Sequence, residues 1–486
     1  MSAKSLMFMG TGSDVGKSLI VAGLCRAFKN RGIKVAPFKP QNMSNNAAVC
    51  EEGGEIGRAQ ALQAQAAGLK PVTAMNPILL KPEHEAGAQI IVRGERVSSM
   101  SAKEYFATRE KYMPDVLMAF EELKNKYDLI LVEGAGSASE VNLRKNDLAN
   151  FGFAQAAKVP VVLIGDIARG GVIASVIGTF DVVAKNDADI IVASIINKFL
   201  GDKKLFEAGA DFISERVKKP VFGPIPFFVD AHKLPAEDVL ALEQSGVEQK
   251  GDFIIYVLRL SRISNFDDFD PLIAEQGVRL EFIEAGRPIP RDADLIIIPG
   301  TKATIADMKY IYEQGWDIDI LAHVRLGGFV LGICGGYQIL GGKISDPLGI
   351  EGEVKTIKGL GLLDIKTTLS EKKRLDKERA IEMISGELID GFHMHMGISE
   401  GKDCKQPFAK IDKKNEGATS ANGRVSGTYL HGLFVNDKFR QSFLRRLGAV
   451  VSEEFNYQAD VERVLNDLAK HLEKHLDLDA LLEMAK

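Results

Sequence analysis

Apolar and polar positions along this chain fall into two successive series of buried strands and amphipathic helices. Residues 5–9 (SLMFM), 129–132 (LILV), 159–164 (VPVVLI) and 190–196 (IIVASII) are continuous apolar runs. Such runs mark parallel strands covered on both faces. Between them, residues 18–31 and 113–126 carry helical periodicity. The alternation predicts a parallel sheet with helices on both sides. It pauses after Pro224-Ile225-Pro226, where a polar stretch runs to about residue 249. A second series then starts at 253–258 (FIIYVL) and repeats at 295–298 (LIII) and 329–333 (FVLGI). From about residue 461 the chain is again helical in period, and this tail is expected to pack on the second domain. The expected division is 1–235, a linker at 236–250, a second domain at 251–450 and a helical extension at 451–486.

At 486 residues the chain exceeds one ordinary core, which agrees with two domains. A net charge of -5 offers no basic field for nucleic acid. No apolar run approaches membrane-spanning length and no signal-like start is present, so the expectation is a cytoplasmic protein without nucleic-acid or membrane partners. Cys25, Cys50, Cys334 and Cys404 form no Cys-x-x-Cys pair, which argues against a disulfide framework or structural zinc. The charge-rich segment 366–379 reads as a solvated loop or hairpin.

Chemistry enters first at Gly10-Thr11-Gly12-Ser13-Asp14-Val15-Gly16-Lys17-Ser18. This glycine-rich turn lies between a predicted strand and a predicted helix, where backbone N–H groups and the helix dipole cradle phosphates. Lys17 would reach the terminal phosphates and the Ser18 hydroxyl would sit on Mg²⁺. The common phosphate loop has four residues between its first glycine and Gly-Lys-Ser; here Gly10 leaves five and Gly12 three. Further on, YDLILVEGAG ends a strand in Glu133, a carboxylate at the crevice edge of the sheet and a candidate partner for Mg²⁺.

A second chemistry lies at GICGGYQILGG, where Cys334 stands between an apolar run and a helical pattern. A sharp elbow there exposes a nucleophilic sulfur and points backbone N–H groups at a developing oxyanion. His431, in GTYLHGLF, is the candidate base. His393 and His395 share one strand face, but a third metal ligand is lacking.

The stretched loop, Gly10, Thr11, Gly12, Asp14, Val15, Gly16, Lys17 and Ser18 included, resembles that of dethiobiotin synthetase and its relatives, which use ATP to activate a carboxylate as an acyl phosphate. That resemblance implies contact between Asn197 and the nucleotide base. The sequence around Cys334 and the distant His431 resemble a class I glutamine amidotransferase, a domain that releases ammonia from glutamine through a thioester. This implies a flavodoxin-like second domain, with Gly300 and Gly335 supplying the oxyanion donors. Such domains usually carry His-x-Glu; here Gly432 and Leu433 follow His431, so an orienting carboxylate is absent or comes from elsewhere.

The two halves in this order resemble the cobyrinic and cobyric acid amidases of corrinoid biosynthesis. PFKPQNMSNNA, MNPILLKP, GDIARGGVIAS and SRISNFDDFDPL carry the likeness, and KPQNMSNN favours the cobyric branch over the a,c-diamide synthases. The resemblance implies a corrinoid substrate, adenosylcobyrinic acid a,c-diamide, amidated at carboxylates b, d, e and g with ATP, Mg²⁺ and glutamine. It places Lys39, Gln41, Asn42, Asn45 and Asn46 against that substrate. Gly391-Phe392-His393-Met394-His395 departs from the usual Gly-Tyr-Glu-Ile-His of the family. Two rivals of another class are a partitioning-type ATPase, whose second loop lysine is missing here, and a non-catalytic scaffold, which Cys334 and His431 oppose.

Overall fold

A computed structural model describes residues 3–84, 87–235 and 251–486, with no side-chain account of residues 83 and 84. The chain forms two compact units, residues 1–241 with 460–486, and residues 242–459. The expected linker at 236–250 lies outside the described residues.

The first unit is built on a parallel six-stranded sheet. Its order is Val221–Phe222, Ile191–Asn197, Val161–Asp166, Lys4–Gly10, Leu129–Ser137 and Val35–Phe38. After Lys4–Gly10 the chain moves to one edge at Val35–Phe38, returns between these two as Leu129–Ser137, and only then fills the other side from Val161–Asp166 on. The C-terminal end of Lys4–Gly10 is therefore a topological switch point, where open α/β sheets bind ligands. The helix Lys17–Asn30 starts there and buries Ile20, Val21, Leu24, Ala27 and Phe28, a stripe at helical spacing. Between Val35–Phe38 and Leu129–Ser137 the chain makes an excursion that apolar runs alone do not announce. It contains a four-stranded sheet, Gln41–Met43, Ile78–His84, Gly87–Val92 and Glu95–Ser101, and the short helix Arg58–Ala66.

The second unit repeats the parallel logic in the order Val278–Ile283, Phe253–Leu258, Leu295–Ile298, Phe329–Ile333 and Val425–Thr428, with Ala418–Thr419 antiparallel at the edge. A mostly antiparallel sheet adjoins it, centred on the long pair Ile365–Glu382 and Leu388–Gly401. The charge-rich segment 366–379 is thus one arm of a hairpin, its charges alternating with buried positions near the strand ends. Both units are α/β with mostly parallel central sheets.

The C-terminal segment corrects one expectation. From Asp460 it belongs to the first unit, not the second. Val461, Val464, Leu465, Leu468 and Leu472 form a buried stripe on the helix Tyr457–His475. Arg26 donates to Glu462 (2.8 Å) and Asn466 (3.2 Å), and Ser5 exchanges backbone hydrogen bonds with Lys486. An amphipathic stripe specifies that a helix must be covered, not which apolar surface covers it. What admits the helix here is Gly23. A Cβ at that position would lie 2.5 Å from Leu472 Cδ1 and 2.9 Å from Leu468 Cγ.

Gly23→Val is therefore expected to destabilise the first unit by about 1–2 kcal/mol, overpacking outweighing the few tenths gained on leaving glycine in a helix. Thermal unfolding of the variant reads this directly; an unchanged first transition would refute the close packing of the tail.

Candidate functional site

The phosphate-loop residues sit at the switch point. Gly16 has φ of 94° and Asp14 φ of 56°, both left-handed. Lys198 donates to the Asp14 carbonyl and lies 3.2 Å from the Asp166 carboxylate, so the crown of the loop is held by the ends of two neighbouring strands. Asn197 donates to the Val15 carbonyl at 2.8 Å, and a Cβ on Gly16 would lie 2.4 Å from its amide nitrogen. The side chain expected at the nucleotide base thus also props the loop from below. Lys17 Nζ donates to the Gly136 carbonyl at 2.9 Å and the Gly12 carbonyl at 3.4 Å.

Glu133 stands beside this loop, paired in register with Phe8 of the first strand. It is 1% exposed. A carboxylate buried that deeply persists only with compensating charge and hydrogen bonds. Oε1 accepts from Ser18 Oγ at 2.7 Å and from Lys39 Nζ at 3.0 Å. Oε2 accepts from Gln63 Nε2 at 2.5 Å, with Gln60 Nε2 at 3.5 Å. Asn42 in turn donates to Gln60 Oε1 at 2.9 Å. Two of the five residues expected at the substrate, Lys39 and Asn42, thus converge on Glu133. Gln41 instead accepts from the Tyr105 hydroxyl at 2.7 Å. The Asn46 carbonyl receives the Arg58 N–H at 3.0 Å, capping the start of the glutamine-bearing helix. Asn45 is half-buried, and its side-chain oxygen is buried without a hydrogen-bond partner among the described residues.

These residues fit a triphosphate with Mg²⁺. A Cβ at Gly10 would lie 2.7 Å from the Gly12 carbonyl oxygen, so only glycine permits this fold of the loop. Ser18 and Glu133 present hard oxygens side by side. Among the described residues no group of three or more His, Cys, Asp or Glu could hold a metal. One carboxylate and one hydroxyl, completed by phosphates and water, is the habit of Mg²⁺.

In the second unit Cys334 follows Phe329–Ile333 with φ of 53° and ψ of -106°. A non-glycine residue in that region is strained, as at nucleophile elbows. Its N–H is held by the Thr428 carbonyl at 2.8 Å, and Sγ lies 3.6 Å from the Met394 carbonyl oxygen. His431, on Leu430–His431, is buried and packs against the Phe392 ring at 5.3 Å. Its Nδ1 lies 2.6 Å from Asp268 Oδ2, and Asp268 Oδ1 accepts the Gly432 N–H at 2.7 Å. This supplies the orienting carboxylate that the chain lacks after His431. Burial alone would discharge the imidazole. The Asp268 carboxylate and the Cys334 sulfur outweigh it and raise the His431 pKa to about 10. Gly300 closes over this ring; a Cβ there would lie 2.8 Å from His431 Cε1. Gly335 is as tightly placed, its Cβ position 2.4 Å from Thr301 Cγ2.

Among the described residues His393 and His395 belong to no group of three or more side chains that could hold a metal. His393 lies between carboxylates, with Glu416 Oε1 3.7 Å from Nε2 and Glu378 Oε1 4.0 Å from Nδ1. His395 stacks on Tyr429 at 3.8 Å. Burial, His393 and Arg374 push its pKa down to about 3.

Sequence reasoning missed Asp268, Gln60 and Gln63. Asp268 lies inside SRISNFDDFDPL, where Asp267 and Asp270 are equally acidic and nothing local selects one. Gln60 and Gln63 are three apart in RAQALQAQA, on one face of an alanine-rich helix, a signal that was available.

Residues 6–241 match the family described as CobQ/CobB/MinD/ParA nucleotide binding domain, and residues 254–439 match the CobB/CobQ-like glutamine amidotransferase domain. Among curated relatives, a "Cobyric acid synthase" of Rhodobacter capsulatus is 55% identical over 99% of this chain and 100% of its own. That of Bradyrhizobium diazoefficiens is 53% identical over 100% of both chains. That of Paracoccus denitrificans is 54% identical over 99% of this chain and 100% of its own. With its two sites on the matched domains and its likeness running the full length, the chain belongs to the cobyric acid synthase family.

Proposed function

We propose that this chain is a glutamine-hydrolysing carbon–nitrogen ligase. It converts the b, d, e and g carboxylates of adenosylcobyrinic acid a,c-diamide to amides, giving adenosylcobyric acid in cobalamin biosynthesis. The observation that carries the proposal is the presence in one chain of two unlike sites, the Lys17–Ser18–Glu133 cradle and the Cys334–His431–Asp268 array. Neither alone makes an amide from a carboxylate with glutamine as the nitrogen source. A carboxylate is a poor electrophile, and phosphoryl transfer from ATP turns it into an acyl phosphate that ammonia can displace. Mg²⁺ bound with ATP supplies charge neutralisation at the transferred phosphoryl group.

The chain's own residues account for the rest. Lys17, whose Nζ donates to the Gly12 and Gly136 carbonyls, would draw the terminal phosphates. Lys39, ion-paired with Glu133 Oε1 at 3.0 Å, is the candidate cation for the substrate carboxylate. Asn45 offers an unpartnered acceptor, suited to the N–H groups of the amides already on the substrate. In the other unit, Cys334 Sγ attacks the side-chain carbonyl carbon of glutamine. The oxyanion meets the N–H groups at Gly300 and Gly335. His431, held by Asp268 through Nδ1, gives its Nε2 proton to the leaving ammonia, and water then hydrolyses the thioester to glutamate.

The decisive test is incubation with ATP, Mg²⁺, glutamine and adenosylcobyrinic acid a,c-diamide, followed by product mass. Stepwise loss of acid for amide at four positions is expected, with Cys334→Ala active on ammonia and inactive on glutamine. No mass change with intact protein would overturn the corrinoid assignment.

A second outcome follows from the His431 environment. Asp268→Asn removes the carboxylate that raises the imidazole pKa, so burial dominates and the pKa falls. Glutamine hydrolysis should drop by about 10²–10⁴-fold, as for other triads. The alkaline limb of kcat/KM, where the imidazolium is lost, should move to lower pH. An unshifted limb would show that Asp268 does not set the charge of His431.

A further inference from the structure

We propose that Gln63 is a positioning residue for Glu133: it ties down Oε2, turns Oε1 to the Ser18 hydroxyl, and so sets the affinity of the loop for a divalent cation held with a nucleoside triphosphate. This rests on the reading of Ser18 and Glu133 as the cation's protein partners.

The two carboxylate oxygens have separate tasks. Oε1 meets Ser18 and Lys39, on the phosphate-loop side. Among the described residues Oε2 meets only glutamine amides, Gln63 at 2.5 Å and Gln60 at 3.5 Å. The Gln63 Nε2 also reaches the Ser18 carbonyl at 3.3 Å, so one amide group binds both the carboxylate and the backbone of its hydroxyl partner. Gln63 is fully buried. Rotating the Glu133 carboxylate would break a charge-assisted hydrogen bond with no water to replace it. A neutral donor is suited to this task. It orients the carboxylate without cancelling the charge a cation needs, while Lys39 already contributes one positive charge.

The helix that presents Gln63 is itself fixed at its far end. Arg26 donates to the Ala66 carbonyl at 2.8 Å and the Gln65 carbonyl at 3.2 Å, the last carbonyls of Arg58–Ala66. The same guanidinium binds Glu462, and Gln65 Nε2 reaches Glu462 at 3.0 Å. The C-terminal helix therefore sets the depth at which Gln63 meets Glu133. Outer partners that orient a metal-binding carboxylate typically govern metal affinity by 10–100-fold.

The test is titration of Mn²⁺ into the full chain with ATP, read by electron paramagnetic resonance of free Mn²⁺. Gln63→Met keeps side-chain length and removes the donor. Its Mn²⁺ half-saturation should rise about tenfold or more, while ATP binding in EDTA stays near that of the unaltered protein at a temperature where both are folded. A Mn²⁺ half-saturation within about twofold of the unaltered protein would overturn the inference. Glu133→Gln runs alongside. If it loosens Mn²⁺ and Gln63→Met does not, the positioning role alone fails. If it leaves Mn²⁺ unchanged, the cation reading of Glu133 fails and the inference with it. Should Gln63→Met not fold, Gln60→Met, which removes the longer of the two contacts, should shift Mn²⁺ in the same direction by less; no shift would overturn the shared role of the two glutamines.

Discussion

Burying the Glu133 carboxylate is the constraint around which the first unit is arranged. An ionised carboxylate at 1% exposure is costly unless donors surround it. Those donors come from three distant parts of the chain. Ser18 opens the first helix, Lys39 follows the edge strand, and Gln60 and Gln63 come from the helix within the excursion. Each donor fixes the element that carries it. The excursion after Val35–Phe38 is thereby drawn back over the sheet edge, and its helix is held in turn by Arg26 and the C-terminal helix. Removing one partner of such an ion pair leaves a buried uncompensated charge, which is why these residues act as a set.

The second unit solves a similar problem by a different route. A buried imidazolium needs a carboxylate, and the common solution places it two residues after the histidine. Here it comes from the short helical turn Phe266–Phe269, and the same carboxylate also takes the Gly432 N–H. One Asp thus fixes both the ring and the backbone that carries it. This arrangement weighs against a non-catalytic scaffold. A scaffold has no use for a strained elbow at Cys334 or for an Asp268–His431 pair buried beside it.

What could be read in the sequence were features with local causes. The continuous apolar runs became the central strands, and the glycine-rich turn fell at the switch point because strand and helix flank it on the chain. Cys334 was legible from its glycines and its preceding strand. The features that were not legible have long-range causes. The tail's stripe at Val461 to Leu472 fits any apolar groove, and the gap left by Gly23 together with the Arg26 contacts selects one. Asp268 is one of three nearby aspartates, and its partner lies 163 residues away. The small four-stranded sheet was hidden because its strands are short, partly exposed and mixed in polarity.

The five-residue spacing in the phosphate loop follows from the same economy of contacts. An inserted residue must be placed without moving Lys17 and Ser18 from the helix start. Asp14 and Gly16 take left-handed conformations within the lengthened loop, and Lys198 and Asn197 hold it in place from the end of the next-but-one strand. The loop is therefore braced by the sheet through its own side chains. A loop whose geometry is already set loses little freedom on binding, so interaction with phosphate can go toward the transferred group instead of toward ordering the loop. That is the behaviour required of a site that makes a bond rather than one that switches shape between nucleotide states. It agrees with the absence of a second lysine from residues 10 to 16.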